Sequence, residues 1–400
     1  MDFRPLLDAL RMLCKFLPDD GEFEVPAANH QYNCRRLTFA LLHEGHNPSS
    51  IADDLWNNIV HLRGRTNRLS RVIVAEGPGA SLLDVTSSSG RISPASGLTW
   101  RTAAFELSQS EELMRIIREW ATNIFERLLL PMRLYSQIPE SVKSSSSSRK
   151  SRLSRDSDVK DTILARDGMI SPVGGAVDKF APRHIRQTAP ERVVQLQAAH
   201  IIPFKVAKYS AMQSLLSTFA GTSVEAILKG RGINSPSNIF CTDHSTHQSF
   251  DLFIIGIEYL YGQCRLRKIV PEEADEGPFM SHCQDGDQVI FGTGPQGNAV
   301  DLPDGELFNI HLSIVRVLHA SGAGEVINNI LQDEEKYNDG VVEDEASAAR
   351  ISAYAIRVAL LRMDSDDSIK SASEDDPVDD SGILRVSTNS QETVSHGCQL

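Results

Sequence analysis

The sequence predicts an α+β protein in which helices predominate. Apolar residues recur at helical spacing over residues 109–130 and again over 305–335, the pattern of helices that bury one face. Two short segments between these stretches, 193–196 and 238–242, have the composition of strands. The hydrophobic fraction of 41% and the charged fraction of 23% are ordinary for a globular protein that buries a core.

The first 140 residues are predicted to form a helical N-terminal module. Residues 31–43 place apolar side chains at helical spacing, and Ser49 or Ser50 is positioned to cap the next helix. The clearest predicted helix of this module ends at Pro131, which is expected to stop or kink it. Because its apolar stripe is wide, we expect that helix to pack against a partner helix.

Composition divides the rest of the chain into further parts. A serine run at 144–148, followed by alternating arginines and serines, cannot bury a core and is typical of a flexible linker. Four hundred residues also exceed one compact domain. The predicted organisation is a helical module at 1–140, a Ser/Arg-rich linker at 141–157, a second domain with a helical extension at 158–335, a C-terminal helix at 336–363 and a disordered acidic tail at 364–400.

The second domain is predicted to mix helices with the two short strands. Its apolar segments are separated by glycine-rich or polar breaks that end each element. The predicted elements are a short helix ending at Gly168, strands at 193–196 and 238–242, one or two helical segments between them within 205–231, a helix from His244 to Tyr261, and paired helices over 305–335 that break at Ser321–Gly324.

The net charge of −13 is opposite to that of a typical nucleic-acid-binding protein, since phosphates attract basic surfaces. The charge is unevenly distributed, however. Acidic residues concentrate in 332–345 and 364–380, whereas 143–160 is basic. The overall balance therefore does not exclude a nucleic-acid partner.

Several classes of protein are disfavoured by the sequence. It contains no apolar run long enough for a transmembrane helix, and its N-terminus lacks the pattern of a secretory signal. The six cysteines are scattered without a CxxC pair, as in intracellular proteins with reduced thiols. Residues 77–80, Gly-Pro-Gly-Ala, lack the Gly-Lys-Ser/Thr of a phosphate loop. We therefore expect an intracellular protein, in the cytoplasm or nucleus, with neither a membrane partner nor a nucleotide cofactor.

The residues with the clearest chemical potential lie between Gln197 and Asp251. His247 and Asp251 are four residues apart, which places them on one face of a helix, where an imidazole and a carboxylate can share one divalent ion. His200, near a strand end, is a candidate general base because an unperturbed histidine titrates near neutral pH. Asn238 is a candidate to tie the intervening loop and to orient His200 by a hydrogen bond.

These residues resemble the HNH endonuclease motif. The stretch Ala-Ala-His-Ile-Ile-Pro at 198–203, Ser-Pro-Ser-Asn at 235–238 and His-x-x-Phe-Asp at 247–251 is similar to the HNH subclass found in fungal proteins. Upstream Arg-Asp-Gly at 166–168 and downstream Leu-Pro-Asp at 302–304 resemble flanking motifs of the same proteins. The resemblance covers about residues 158–335.

The resemblance implies a ββα-metal fold, a hairpin packed on a helix around one divalent ion, with Mg²⁺ expected first. It implies that His200 is the general base, that Asn238 orients the loop and that His247 is a metal ligand. Asp251 falls where many members carry a second ligand from the helix. The implied reaction is hydrolysis of phosphodiester bonds, with DNA as the expected partner.

Three positions depart from the resemblance. In many members the residue before the base is a metal ligand, and here it is Ala199. Ser171 and Gly174 stand where members often carry Cys and Thr, so a zinc-stabilised version is not expected. A catalytically weak or inactive HNH-fold module that binds nucleic acid or protein is therefore the alternative to an active nuclease. A third interpretation is a regulatory or interaction protein whose helical parts, and not the HNH-like domain, carry out the cellular role.

Outside the motif, Arg183 and Arg186 precede the first strand and are candidates for phosphate contacts. A solvated turn fits these residues equally well. The sequence leaves open the oligomeric state, any preference for a particular nucleic-acid sequence, and the choice between DNA and RNA.

Overall fold

The computed structural model describes most of the two predicted domains. The described residues are 4–17, 24–27, 30–61, 108–137, 157–203, 206, 210–222, 224, 232–269 and 283–338. Within these residues, no helix combines the length and apolar character that crossing a membrane requires. The five cysteines in the described ranges are free thiols.

Helices predominate and are accompanied by small sheets, as predicted. The helices are α1 Arg4–Phe16, α2 Cys34–Glu44, α3 Pro48–His61, α4 Glu111–Ile124, α5 Leu130–Gln137, α6 Ser157–Arg166, α7 Arg183–Arg186, α8 Ser210–Ala220, α9 His244–Asp251, α10 Gly305–Ser321 and α11 Ala323–Asn338. The strands are β1 Glu24–Ala27, β2 His30–Asn33, β3 Val177–Asp178, β4 Val193–Val194, β5 Gln197–His200, β6 Ile239–Thr242, β7 Ile255–Leu260, β8 Gln263–Lys268 and β9 Gln288–Val289.

The start of the N-terminal part differs in detail from the prediction. The helix predicted from residue 31 begins at Cys34, because residues 30–33 pair with β1 in an antiparallel hairpin and the Asn33 side chain accepts the Arg36 N–H as an N-cap. The following helix is capped by Asn47, whose side chain accepts the Ser50 N–H at 3.1 Å. The expectation that Ser49 or Ser50 is the cap was therefore wrong.

The helix predicted to end at Pro131 continues past it. Residues Phe125–Leu129 form a π-helical segment between α4 and α5, and the Leu130 N–H donates to the Phe125 carbonyl. A proline has no N–H to offer to the preceding turn, and π-segments are one way in which a helix accommodates such a position. The chain therefore changes its hydrogen-bond pattern before Pro131 instead of stopping.

The predicted helix from His244 to Tyr261 is only half helical. Helix α9 ends at Asp251, Phe253 takes a left-handed φ of 53°, and Ile255–Leu260 forms strand β7. β7 pairs with β8 through a tight turn in which Tyr261 and Gly262 both have positive φ. The length of the apolar run concealed this change from helix to strand.

Gly256 shows why β7 can lie against α10. A Cβ atom built at this position would come within 2.7 Å of the Leu312 side chain and 3.2 Å of its Cα. A glycine therefore allows the strand and the helix to approach closely. The paired helices predicted at the C-terminal end are confirmed, with the break at Gly322, which has a φ of 74°.

The main apolar core joins the two predicted domains. One cluster of buried side chains includes Leu41 of α2, Ile117 of α4, Phe240 of β6, and Ile310 and Ile314 of α10. A smaller cluster lies between α6 and the antiparallel strands β5 and β6, and it contains Ile163, Ile239 and Cys241. Both predicted domains contribute to this core, and the limits between them stay a prediction.

Several predictions fall outside the described residues. They are the Gly-Pro-Gly-Ala stretch at 77–80, most of the Ser/Arg-rich linker at 141–157, most of the C-terminal helix at 336–363 and the acidic tail at 364–400.

Candidate active site

The candidate site is built on the antiparallel pair β5–β6. Its register matches Gln197 with Thr242 and His200 with Ile239, and α9 follows β6 directly. Helix α9 begins at the N-cap Asp243, whose carboxylate accepts the N–H groups of Ser245 and Thr246 at 3.0 Å each. The first strand predicted at 193–196 is divided, since 193–194 pairs with β3 and the hairpin strand starts at Gln197.

Asn238 ties down the loop between the two strands, as predicted for an amide at this position. Its Oδ1 accepts the Ile202 N–H at 2.9 Å, and its Nδ2 donates to the carbonyls of Ile202 at 3.1 Å and Ile233 at 3.0 Å. The side chain is 1% exposed. Because three buried main-chain groups depend on one amide, Asn238 fixes both ends of the loop.

His200 occupies the last position of β5 and is 6% exposed. Its Nε2 lies 3.0 Å from Oδ1 of Asn234, so the ring donates this N–H to the amide oxygen. A neutral ring held in this way carries its proton-accepting lone pair on Nδ1. The amide that orients His200 is therefore Asn234, whereas the sequence had predicted Asn238 for this contact.

The pairing register places His200 and Gln197 on opposite faces of the hairpin. Ile239, the partner of His200, belongs to the small cluster against α6, whereas Ala199 and its partner Phe240 belong to the main core. Paired residues share a face and successive residues alternate. His200 thus leaves the strand on the α6 side, and Gln197 leaves it on the α9 side. Convergence of His200 with the metal pair stays a prediction.

His247 and Asp251 lie together on α9. Their Nε2 and Oδ2 atoms are 3.3 Å apart, and the side chains are 14% and 26% exposed. The other ring nitrogen of His247, Nδ1, is 2.8 Å from Oε1 of Gln197, and the Gln197 amide nitrogen is 3.5 Å from His244 Nδ1. Gln197 therefore accepts the Nδ1–H and aims Nε2 of His247 at the Asp251 carboxylate.

The main chain of Asp251 is held from the N-terminal part of the molecule. Arg133 of α5 donates from Nη1 to the Asp251 carbonyl at 2.9 Å and from Nε and Nη2 to the Asn328 side chain at 3.1 and 2.7 Å. Arg133 is 3% exposed. Burial lowers the pKa of this guanidinium to about 10, while the nearby charge of Asp251 opposes the shift.

His311 of α10 packs against the same end of α9. Its ring stacks on Phe250 with centroids 3.7 Å apart and on Phe253 at 4.8 Å. Burial lowers the pKa of His311 to about 3, and a hydrogen bond with the Phe250 main chain partly opposes this shift. His311 is therefore a neutral ring that supports the residue next to Asp251.

A buried ion pair joins the upstream Arg-Asp-Gly motif to the hairpin. Arg166 and Asp167 contact each other through two hydrogen bonds of 2.9 and 2.8 Å, and both side chains are fully buried. Arg166 also donates to the main-chain carbonyls of Pro236, Asp301 and Ile239. The pair is thus saturated with partners and fixes the position of β6 relative to α6.

The remaining predicted residues belong to parts of the chain outside α9. Arg183 and Arg186 are exposed on the four-residue helix α7. Ser171 is buried and donates its hydroxyl to the Val173 carbonyl at 2.6 Å. Gly174 takes a positive φ of 74° in a turn. Ser171 and Gly174 therefore serve the local chain geometry.

The donor set suits a divalent ion with several open positions. One imidazole nitrogen and one carboxylate oxygen already face each other at the spacing of a shared ion, and the ring is oriented by Gln197. Ala199, which takes the place of a further ligand, is buried in the main core. Across the described ranges, no cluster of three or more His, Cys, Asp or Glu side chains could hold a metal. The site fits an ion held by two protein ligands and completed by water or phosphate.

Three residues of this site were not predicted from the sequence. Gln197 could have been found by alternation, since it lies two positions before Ala199 on the face where the family places a ligand. Asn234 lies in a loop whose path the sequence does not specify. Arg133 belongs to the other predicted domain, and nothing in the sequence linked it to Asp251.

Comparison with known proteins supports the resemblance found in the sequence. Residues 183–258 match the family model described as HNH endonuclease. This match covers β4, the hairpin, α9 and part of β7, and it includes His200, Asn238, His247 and Asp251. Neither the search of curated proteins nor the search of solved structures found a match.

Proposed function

We propose that this protein is a metal-dependent HNH-type endonuclease that hydrolyses phosphodiester bonds, with DNA as its expected substrate. The observation that carries the proposal is the His247–Asp251 pair, whose facing atoms are 3.3 Å apart inside a segment that matches the HNH endonuclease family. In this reading β5, β6 and α9 are the hairpin and helix of a ββα-metal fold. The proposed compartment is intracellular, where the nucleic acid would be encountered.

His247 Nε2 and the Asp251 carboxylate are the groups we assign to one divalent ion, with Mg²⁺ expected first. When bound, such an ion neutralises charge on the phosphate and on the leaving oxygen. Gln197 contributes by holding the Nδ1–H of His247, which keeps the lone pair of Nε2 directed at the site. Arg133 contributes by holding the Asp251 main chain.

His200 is the residue we assign to proton transfer. Asn234 accepts its Nε2–H, which leaves the proton-accepting lone pair of the neutral ring on Nδ1. That atom is buried, so the proposal requires water to reach it when the substrate binds. Asn238 keeps the adjacent loop in place through Ile202. Because His200 ends β5 on the α6 side, the proposal requires the scissile phosphate to reach around the end of the hairpin.

A plasmid-cleavage assay with Mg²⁺, Mn²⁺, Ni²⁺ and Zn²⁺ tests the proposal. The parent protein should cut supercoiled DNA, and His200→Ala should cut about 10²- to 10⁴-fold more slowly while still binding metal. His247→Ala and Asp251→Asn should lose metal binding as well as cleavage. Gln248→Ala, at an exposed position of the same helix, is the control and should cut like the parent. If His200→Ala cleaves DNA as fast as the parent, His200 is not the general base.

The second candidate function is an HNH-fold module that binds nucleic acid or protein without cleaving. The observation that favours it is Ala199, which leaves the α9 pair without a further ligand from the strand. Titration calorimetry with the same four metals separates the two functions. Absence of metal binding in the full chain, together with absence of cleavage, would favour the binding module.

A further inference from the structure

A cationic segment with an exposed aromatic ring precedes strand β5 of the candidate site in the chain. The Phe180 side chain is 71% exposed, which is unusual for a phenyl ring inside an ordered region. The whole chain carries a net charge of −13. The segment at 179–192, in contrast, contains four basic residues and one acidic residue, namely Lys179, Arg183, Arg186, Arg192 and Glu191.

The exposure of Phe180 is imposed by a well-anchored backbone. The buried carboxylate of Asp178 accepts the Phe180 N–H at 2.8 Å and the Leu196 N–H at 2.9 Å. The Lys179 N–H donates to the Val194 carbonyl at 2.6 Å, and the Ala181 N–H donates to the Asp178 carbonyl at 2.9 Å. These bonds fix the chain on both sides of the ring, so its outward position belongs to the fold.

Positive charge lies over the ring and on the helix that follows it. The Lys179 ammonium lies 4.9 Å from the centroid of the Phe180 ring, within the range of a cation–π contact. Helix α7, which follows, buries none of its side chains, and Arg183 and Arg186 are both exposed. An exposed aromatic face among cations is the combination that nucleic-acid strands require, because bases stack on aromatic rings while phosphates attract Lys and Arg.

The segment is connected to the metal pair through two glutamine side chains near the start of β5. The Lys179 ammonium donates to the Gln195 side chain at 2.8 Å. Gln195 lies between β4 and β5, two residues before Gln197, the first residue of β5. Gln197 in turn holds the His247 ring at 2.8 Å. Lys179, next to Phe180, is therefore linked to the His247 ring through side-chain contacts at both ends of the short segment 195–197.

We propose that Phe180 stacks on an unpaired nucleobase while Arg183 and Arg186 contact the adjoining phosphates. This rests on the proposed nuclease function and narrows its substrate to single-stranded or locally unpaired nucleic acid. A paired duplex already stacks both faces of each base, whereas an unpaired base has a face to offer. The cationic surroundings of the ring favour this partner over an acidic protein surface, which would gain little from a single phenyl ring.

Binding of labelled oligonucleotides to the full chain in EDTA tests the proposal without depending on cleavage. Fluorescence anisotropy would compare a single strand with the duplex of the same sequence. The parent should prefer the single strand, and Phe180→Ala should weaken its binding about tenfold, the loss expected for one stacked base. Phe180→Trp should retain the affinity, whereas Phe180→Leu, which is apolar but not aromatic, should not.

Two controls make the result specific. Tyr261→Ala removes a ring that is 93% exposed at the turn of a different hairpin and should leave binding unchanged. Changing Arg183 and Arg186 together to Gln should lower the slope of log affinity against log salt by about 1.4. Equal binding of single strand and duplex, equal affinity of the parent and Phe180→Ala, or no binding to either oligonucleotide would overturn the proposal. If a protein with any of these results still cleaves plasmid, the stacking proposal is wrong and the proposed nuclease function is retained.

Discussion

The Arg133 guanidinium donates a hydrogen bond of 2.9 Å to the main-chain carbonyl of Asp251. Arg133 lies in the predicted N-terminal module, and Asp251 ends the helix that carries the candidate metal pair. The last carbonyls of a helix have no partner inside the helix, so an outside donor fixes its end. The N-terminal helices are therefore part of the support of the site.

We predict that Arg133→Met lowers both stability and metal affinity. The change leaves the partly buried Asp251 carbonyl and the Asn328 amide oxygen without this donor, at a cost of about 1–3 kcal/mol of unfolding free energy. Metal affinity should fall about tenfold, the usual loss when a residue that orients a ligand is removed. Denaturant unfolding and calorimetry with Mn²⁺ measure the two effects. Arg127→Met, at an exposed position of the adjoining π-helical segment, is the control.

The sign of the affinity change separates positioning from charge. Removing a cation near Asp251 would by itself favour a divalent ion, so a charge effect alone predicts tighter binding by Arg133→Met. Arg133→Lys keeps the charge but loses the planar fork that reaches Asp251 and Asn328 together. If both variants bind more weakly, Arg133 acts through position, and tighter binding by Arg133→Met would refute that role.

Gln197→Ala should weaken metal binding without unfolding the protein. The Gln197 side chain is the acceptor for His247 Nδ1, and its loss frees the ring to rotate away from Asp251. The expected decrease is about tenfold, whereas Gln197→Glu should preserve affinity because a carboxylate accepts the same N–H. Calorimetry in the absence of nucleic acid gives the comparison. Gln195→Ala, two positions earlier in the chain, should bind like the parent, and unchanged binding by Gln197→Ala would exclude the orienting role.

Asp167→Asn should be among the most destabilising single changes in the second domain. The Asp167 carboxylate accepts two hydrogen bonds from the buried Arg166 guanidinium. The change leaves this guanidinium without its counter-ion. Loss of one partner from such a pair costs about 3–5 kcal/mol. Urea unfolding followed by circular dichroism measures this loss. The exposed pair Glu112–Arg115 is the control, and Glu112→Gln should hardly change the midpoint.

Much of this architecture could be predicted from local sequence. The periodicity of 305–335 gave both α10 and α11, because helix burial leaves a repeating apolar pattern and Gly322 marks the break. The spacing of His247 and Asp251 gave their contact, since positions i and i+4 of a helix always adjoin. The motif also led to the family, which the match over residues 183–258 supports.

What could not be predicted depends on contacts between distant segments. β7 was assigned to a helix because its apolar run is consistent with both states, and only packing against α10 decides between them. Arg133 and His311 reach α9 from elements far away in the chain, so no local pattern reveals them. The side from which His200 leaves β5 depends on register, which the sequence did not specify.

His311 should make the protein less stable as the pH falls. Its ring is buried against Phe250 and Phe253, and burial lowers its pKa in the folded state to about 3 from the ordinary 6.5. Between pH 6.5 and pH 3 the His311 ring is protonated in the unfolded chain but stays neutral in the folded protein. The contribution of His311 is thus complete above pH 6.5 and is lost towards pH 3, at about 1.4 kcal/mol per pH unit.

Comparison of His311→Gln with the parent isolates this effect from other titrating groups. Glutamine can still donate to the Phe250 main chain but does not titrate, so the variant should be less stable at pH 7 yet lose stability less steeply between pH 6.5 and 4. Urea unfolding at half-unit pH steps measures the slope. His184→Gln, which removes an exposed histidine of α7, should keep the parental slope. Parallel slopes for His311→Gln and the parent would show that His311 does not remain neutral in the folded core.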